Sequence, residues 1–124
     1  MIIGVTGNYC SGKDAVAAIL QGKNFYHVSF SDLLRNELTT RKQKITRDKL
    51  IELGNHLRTK QGASVLSKLA LQEIKDGENH VFTSIRNPSE VEHLTQREDF
   101  ILVNVTAPES VRLKRIIQRN REED

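Results

Sequence analysis

The residues with the clearest chemical potential form the run Gly7-Asn8-Tyr9-Cys10-Ser11-Gly12-Lys13. It matches G-x-x-x-x-G-K-[ST] up to the lysine, a motif whose backbone N–H groups surround phosphate oxygens while the lysine reaches the terminal phosphates. An apolar run precedes Gly7 and helical spacing follows Lys13, which is the strand–loop–helix context that the motif requires. The predicted nucleotide-binding residues are Gly7, Asn8, Cys10, Ser11, Gly12, Lys13, Asp14 and Ala15.

Asp14 departs from this motif, because a serine or threonine hydroxyl normally follows the lysine and contacts Mg²⁺. A carboxylate is also a hard oxygen ligand for Mg²⁺. The later run Val81-Phe82-Thr83-Ser84 ends without the carboxylate that often helps to hold this metal. We therefore predict that Asp14 is the metal ligand and that the cofactors are ATP and Mg²⁺. The alternative is that Asp14 only complements the helix dipole.

Three arginines could hold the phosphate of a second substrate. Phosphoryl transfer requires an acceptor that is aligned with the donor, and arginine can bind phosphate through two parallel hydrogen bonds. Arg35 lies about one turn into the helix after the second predicted strand, and Arg86 follows the third. Arg58 is a weaker candidate. Each of them could equally be an ordinary surface residue.

Other residues could act on the transferred group itself. Arg115, Arg119 and Arg121 could close over the phosphoryl group and stabilise its charge. Asp32 could orient or deprotonate an acceptor hydroxyl, or it could only complement a helix N-terminus. The predicted catalytic residues are Lys13, Asp32, Arg86, Arg115 and Arg119. The predicted acceptor-binding residues are Asp32, Arg35, Arg58 and Arg86.

Alternating apolar segments predict the elements that would bring these residues together. Strands are predicted at residues 1–6, 26–30, 80–84 and 100–105, each followed by helical spacing. Four helix starts are predicted. Two have the N-caps Ser31 and Thr46, and two begin at Pro88 and Pro108. This alternation favours a parallel sheet covered on both faces, with ligands beyond the carboxyl ends of the strands. The two or three helices within 31–79 would form an acceptor-binding insertion.

Composition and charge restrict the class of protein. With 124 residues, of which 37% are hydrophobic and 28% charged, the chain is typical of one α/β domain. The net charge of +3 is dispersed along the chain, which argues against nucleic acid as a partner. The single cysteine fits a reducing compartment, and neither a membrane span nor a signal peptide is evident. We expect a cytoplasmic protein that binds small molecules; its oligomeric state is left open.

Three segments resemble the nucleoside monophosphate kinase group of P-loop phosphotransferases. They are the loop Gly7–Lys13, the helix segment Ser31-Asp32-Leu33-Leu34-Arg35, and the arginine segment Ile85-Arg86-Asn87-Pro88-Ser89-Glu90. The Gly-Lys-Asp form of the loop is similar to that of phage-type deoxynucleoside monophosphate kinases and phosphomevalonate kinases. With residues 115–124 as the start of a lid, the whole run looks most like dephospho-coenzyme A kinase-like proteins, some of which are fused to a deoxycytidylate deaminase domain.

The resemblance implies a P-loop NTPase fold of three layers, α/β/α, with a parallel sheet in the order 2-3-1-4. It implies an ATP- and Mg²⁺-dependent kinase whose acceptor is a nucleoside or deoxynucleoside monophosphate, or dephospho-coenzyme A. The family continues into a fifth strand, so we expect the domain 1–124 to lack its last strand and to be a piece of a longer protein. The alternatives are a nucleotide-binding regulatory or structural domain, for example part of a deaminase fusion, and a nucleoside triphosphate hydrolase.

Overall fold

Strands and helices alternate along the chain, apart from a group of three consecutive helices after the second strand. The computed structural model describes residues 1–8 and 10–119. The elements are β1 (Ile2–Gly7), α1 (Lys13–Gln21), β2 (Phe25–Ser29), α2 (Phe30–Thr40), α3 (Arg47–Gln61), α4 (Val65–Leu71), β3 (Asn79–Thr83), α5 (Pro88–Thr95), β4 (Phe100–Val105) and α6 (Glu109–Arg119). None of the helices in these residues combines the length and the apolar character needed to cross a membrane.

The four described strands form one parallel sheet in the order β2-β3-β1-β4. β1 lies inside the sheet and pairs with β3 on one side and with β4 on the other. Ser29 at the end of β2 lies opposite Thr83 at the end of β3. Because all strands run in the same direction, their carboxyl ends meet at one edge, where such sheets bind ligands. The predicted α/β class, parallel sheet and strand order are confirmed.

Apolar side chains pack on both faces of the sheet. On one face a buried cluster joins the sheet to α2, α3, α4 and α5, with Phe30, Phe82 and Leu94 among its members. The ring centroids of Phe30 and Phe82 are 5.8 Å apart and the planes are tilted by 58°, which is a favourable aromatic arrangement. On the other face Ala17 of α1 packs with Val81 of β3. The result is the expected α/β/α layering.

Two helix starts follow the signals in the sequence. Thr46 is the N-cap of α3, and its hydroxyl accepts a hydrogen bond from the Lys49 N–H at 3.2 Å. Pro88 begins α5, where its missing N–H costs nothing, and the Asn87 side chain caps the same helix. The first cap fixes the start of α3, which carries Arg58. The second fixes the start of α5, which follows Arg86.

The junction between β2 and α2 differs from the prediction. β2 ends at Ser29 and α2 begins at Phe30, so the N-cap is Ser29 and the expectation of Ser31 was wrong. Phe30 is buried as the first helical residue, and apolar character alone does not distinguish that position from the last position of a strand. The direct junction places Asp32 and Arg35 just beyond the carboxyl end of β2.

His80 is a buried polar residue that connects β3 to the segment before it. It is 2% exposed, and its Nε2 accepts a hydrogen bond from the Lys75 N–H at 3.1 Å. The ring of Tyr26 lies 5.6 Å from the imidazole, with the Lys75 ammonium over the Tyr26 ring. Burial is the main cause that lowers the pKa of His80 below its ordinary value. The hydrogen bond from Lys75 requires the neutral imidazole.

We therefore predict that His80 makes the fold less stable in mild acid. Its pKa is lower in the folded than in the unfolded chain, so the unfolded chain takes up the proton first, and the free energy of unfolding falls as pH decreases below about 6.5. Between about pH 7.5 and about pH 5.5 the loss of Tm should be smaller in His80→Gln, which keeps a hydrogen-bond acceptor but does not titrate. His56→Gln, at an exposed position of α3, is the control. An equal loss of Tm in His80→Gln and the parent would contradict this role.

Candidate functional site

The loop between β1 and α1 has the backbone of an anion-binding turn. Gly12 is the N-cap of α1 and is left-handed, with φ of 106°, and Cys10 is left-handed as well, with φ of 59°. The Ser11 N–H donates to the Asn8 carbonyl oxygen at 3.0 Å, which closes the turn. Left-handed residues within a turn direct successive N–H groups towards one point, and the N-terminus of α1 adds its dipole. Glycine is the residue that adopts this conformation without strain at position 12.

The loop is closely packed at Gly7, and among the described residues its Ser11 hydroxyl is unsatisfied. A methyl group at Gly7 would overlap the carbonyl oxygen of Val105 and lie 2.5 Å from the Ser11 Oγ, so only glycine allows this packing. The Ser11 Oγ is buried and has no hydrogen-bond partner within the described part of the chain. A buried hydroxyl without a partner is unfavourable, and a phosphate oxygen at the loop would supply one. The loop is therefore shaped for an anionic ligand.

Lys13 and Asp14 are the first two residues of α1 and lie at the mouth of the loop. The Lys13 Nζ donates to the Gly7 carbonyl oxygen at 3.4 Å, so the side chain folds back across the loop. Asp14 is exposed in the first turn of α1. No cluster of three or more His, Cys, Asp or Glu side chains in residues 1–8 and 10–119 could hold a metal by itself. The carboxylate of Asp14 is a hard oxygen donor of the kind that Mg²⁺ prefers, so this residue fits the predicted role of metal ligand.

A cavity of about 500 Å³ extends from the loop over the carboxyl ends of β2 and β3 to α2 and α3. Its volume lies within the range of roughly 300–1,000 Å³ that small-molecule sites occupy. Lys13 and Asp14 line it, and so do Asp32 and four arginines: Arg35, Arg47, Arg58 and Arg86. The structure thus brings the predicted acceptor residues together with the lysine of the loop. Arg47 was not predicted as a site residue. It is the first residue of α3 after the Thr46 N-cap, and nothing in the local sequence indicates that this position faces a cavity.

Asp32 and Arg35 form an ion pair at the edge of this cavity. The Arg35 Nη1 donates to the Asp32 Oδ1 at 2.8 Å, across three residues of α2. Asp32 is 60% exposed, so the pair is accessible to a ligand and contributes little to stability. Asp32, the predicted base, and Arg35, a predicted phosphate ligand, therefore contact each other directly.

Short polar side chains form the floor of the cavity between the ends of β2 and β3. The Ser29 and Ser84 hydroxyls are 3.2 Å apart, and the His27 Nε2 lies 2.6 Å from the Thr83 Oγ1. Ser84 is left-handed, with φ of 62°, a conformation that costs energy for any residue with a side chain. From the sequence we predicted only that the end of β3 lacks a carboxylate. The polar residues at the ends of β2 and β3 were the signal that could have predicted this polar floor.

Arg58 reaches the cavity from α3 while it is held by a buried carboxylate. The Arg58 Nη2 donates to the Glu90 Oε1 at 3.0 Å, and the Glu90 side chain is fully buried. The pKa of Glu90 is raised mainly by burial. The positive charges of Arg58 and Arg86 lower this pKa, but by less than burial raises it. Glu90 was not predicted as a site residue. Its position three residues after the Asn87 N-cap is typical of a capping glutamate.

A second cavity, of about 450 Å³, lies on the other side of the loop, next to α6. Lys13 and Asp14 line both cavities, and Arg115 and Gln118 line the second. The Arg115 Nη1 donates to the Cys10 carbonyl oxygen at 2.8 Å, which joins α6 to the loop. The side chain of Arg119 and the whole of Arg121 lie outside the described residues. The two cavities therefore meet at Lys13 and Asp14.

Comparisons with known proteins agree with this architecture. Residues 3–124 match the family model described as an AAA domain. The chain is 32% identical to a UPF0200 protein of Pyrobaculum aerophilum over 127 residues and 28% identical to a UPF0200 protein of Sulfurisphaera tokodaii over 123 residues. Each alignment covers 99% of this chain and 68% of the relative.

Two solved structures share the fold. The crystal structure of TT1252 from Thermus thermophilus has a TM-score of 0.66 at 22% identity, over 97% of this chain and 72% of that one. A protein of Chloroflexus aurantiacus that is described as a "putative kinase" has a TM-score of 0.63 at 18% identity, over 95% of this chain and 64% of that one. At these identities the likeness establishes a P-loop NTPase-like fold. The domain match over residues 3–124 and the relative at 32% identity show that this chain belongs to the AAA-domain family and to the UPF0200 proteins.

Proposed function

We propose that this chain is an ATP- and Mg²⁺-dependent phosphotransferase domain that acts on a small phosphorylated acceptor. The observation that carries the proposal is the cavity that Lys13 and Asp14 share with Arg35, Arg58 and Arg86. Transfer requires the donor and acceptor phosphates to lie side by side in a site with restricted access to water. A domain that only bound nucleotide would need the loop but not a group of arginines beside it.

On the donor side, each element of the loop has a defined task. The backbone N–H groups and Lys13 would neutralise the β- and γ-phosphates, and the Ser11 hydroxyl would gain the partner that it lacks among the described residues. Asp14 would hold Mg²⁺, which would supply positive charge to neutralise the phosphates. Arg115, and Arg119 further along α6, would stabilise charge on the transferred group.

On the acceptor side, Arg35 and Arg86 would hold a phosphate group, and Arg58 would support them. Nucleoside and deoxynucleoside monophosphates would present a phosphate oxygen as the nucleophile, whereas dephospho-coenzyme A would present a hydroxyl whose proton Asp32 could accept. The proposed functional class is that of the nucleoside monophosphate kinases or of the dephospho-coenzyme A kinase-like proteins. The partners would be small molecules of the cytoplasm.

A nucleotide-binding regulatory domain is the second candidate function. It is favoured by Arg115, whose guanidinium donates to the Cys10 carbonyl oxygen at 2.8 Å, because a structural contact with the loop backbone explains this arginine without catalysis. The chain also spans about two thirds of the length of its UPF0200 relatives, so the activity of a whole protein is a proposal as well.

The deciding experiment measures ADP formation from Mg-ATP with a panel of acceptors: nucleoside monophosphates, deoxynucleoside monophosphates and dephospho-coenzyme A. We expect turnover with one acceptor class and very little without an acceptor. Binding of ATP with no turnover on any acceptor would favour the regulatory domain. Equal ADP formation with and without an acceptor would favour a hydrolase.

Asp14→Asn tests the metal site. We expect the Mg²⁺ concentration for half-maximal ADP formation to rise about tenfold, because an amide is a weaker ligand for a hard cation than a carboxylate. Asp48→Asn is the matched control, since Asp48 is also an exposed residue in the first turn of a helix, α3. If the Mg²⁺ dependence is unchanged and Asp14→Asn lowers only Tm, as Asp48→Asn does, Asp14 complements the helix dipole and is not a metal ligand.

Arg86→Lys tests the acceptor site. Lysine keeps the charge but loses the planar, two-pronged contact with phosphate, so we expect the KM for the acceptor to rise about tenfold while the KM for ATP changes less than about twofold. Arg41→Lys is the control, because Arg41 pairs with Glu37 at the exposed end of α2. Equal increases in both KM values would show that Arg86 does not act on the acceptor.

A further inference from the structure

Glu90 is a buried carboxylate to which the proposed mechanism gives no task. It lies in the first turn of α5, and none of its side chain is exposed. Its Oε1 accepts from the Arg58 Nη2 at 3.0 Å, and its carbonyl oxygen accepts from the Ser67 hydroxyl of α4 at 2.8 Å. Ser67 is itself fully buried. Glu90 is therefore held from two sides, and through it α3, α4 and α5 are tied together.

The carboxylate faces both arginines that approach the acceptor cavity from this wall. Arg58 contacts it directly, and the backbone N–H and the guanidinium of Arg86, four residues earlier in the chain, oppose the effect of burial on its pKa. Arg58 is the ion-pair partner of this buried anion, Arg86 acts on it at longer range, and both arginines line the cavity. The group as a whole keeps a positive charge towards a ligand in the cavity.

Stability alone does not account for the pair between Arg58 and Glu90. The Glu90 Oε2 and the Arg58 Nε are buried without a partner among the described residues. Apolar residues of similar volume often give equal or greater stability than a buried ion pair, especially one whose hydrogen bonds are incomplete. Because a guanidinium is planar, one bond to Nη2 also sets the direction of Nη1. The pair is well suited to holding Arg58 in one orientation.

Gly54 lies beside the Arg58 guanidinium and next to Leu34 of α2. Gly54 is a buried residue inside α3, where glycine is less favourable than alanine. A Cβ at this position would lie 3.2 Å from the Arg58 Nη1 and 3.5 Å from the Leu34 Cδ1. A helix that accepts glycine one turn before Arg58 leaves room for this side chain to lie along it.

We propose that Glu90 is a positioning residue, which holds Arg58 beside Arg86 so that the two guanidinium groups receive the phosphate of the acceptor. This deepens the proposed function and rests on it for the identity of the ligand. Glu90 itself does not touch the acceptor. It acts by fixing the direction of a neighbouring cation, while Gly54 provides the space.

The test is an NMR titration with inorganic phosphate that follows the guanidinium Nε–H signals of Arg58 and Arg86. Glu90→Ala should weaken phosphate binding about tenfold, the effect of losing one well-oriented charged hydrogen bond. Glu90→Gln, which keeps an oxygen for the Arg58 Nη2, should restore most of the affinity. Glu92→Ala, at an exposed position of the same helix, is the control and should change affinity by less than about twofold.

The direction of the effect separates positioning from simple electrostatics. Removal of a carboxylate near an anion site tightens phosphate binding if only charge matters, so tighter binding in Glu90→Ala and Glu90→Gln would overturn the proposal. Equal affinity in Glu90→Ala and Glu92→Ala would overturn it as well. Weaker binding in Glu90→Ala, together with recovery in Glu90→Gln, supports it.

Gly54→Ala is a second variant, which keeps both members of the buried pair but crowds the Arg58 Nη1. A Cβ here would lie 3.2 Å from the Arg58 Nη1, so the guanidinium must shift, and we expect phosphate binding to weaken severalfold whether Tm rises through helix propensity or falls through crowding. Unchanged affinity in Gly54→Ala would overturn the proposal even if Glu90→Ala failed to fold. If phosphate binds and the variants behave as expected but no acceptor is phosphorylated, the proposed function fails and the positioning by Glu90 stands. If phosphate does not perturb either arginine of the parent, the proposal for Glu90 fails.

Discussion

The site depends on the connection between β1 and α1, where the chain passes from a strand inside the sheet to the N-terminus of a helix. Gly12 adopts a left-handed conformation there, and Gly7 packs against Val105 of β4 so closely that no side chain fits. Parallel pairing of β1 with β3 and β4 holds this turn near the middle of one edge of the sheet. Everything else in the site is arranged around that edge, since the ends of β2 and β3 and the helices that follow them open towards the same space.

One wall of the cavity contains a buried ion pair between Arg58 and Glu90. Arg58 and Glu90 form a pair whose hydrogen bonds are only partly satisfied among the described residues, and burial raises the pKa of the carboxylate. Such a pair contributes less to stability than its close contact suggests, because both charges have lost hydration. The pair connects α3 to α5, and in the proposal for Glu90 its role is geometric, because it sets the direction of the Arg58 guanidinium.

The sequence was sufficient for the loop, the strand order and the elements that carry Arg35 and Arg86, because these follow from local spacing and from the rules of parallel sheets. It was insufficient for Glu90, which lies 32 residues from Arg58 and has the spacing of an ordinary capping residue. The start of α2 was also misplaced, because burial of Phe30 is compatible with a strand or a helix. Long-range pairing and the last residue of an element are decided by packing, which composition and periodicity do not specify.

The central claim is that a phosphate bound by Arg86 lies next to the terminal phosphate of a nucleotide held by the loop. Adenosine 5′-pentaphosphate tests this directly, because its outer phosphates extend beyond the position of the γ-phosphate of ATP. Calorimetric titration in Mg²⁺ should show that the parent binds it about tenfold more tightly than ATP and that Arg86→Ala removes this advantage. Equal affinities for the two ligands in the parent, or an advantage that persists in Arg86→Ala, would contradict the account.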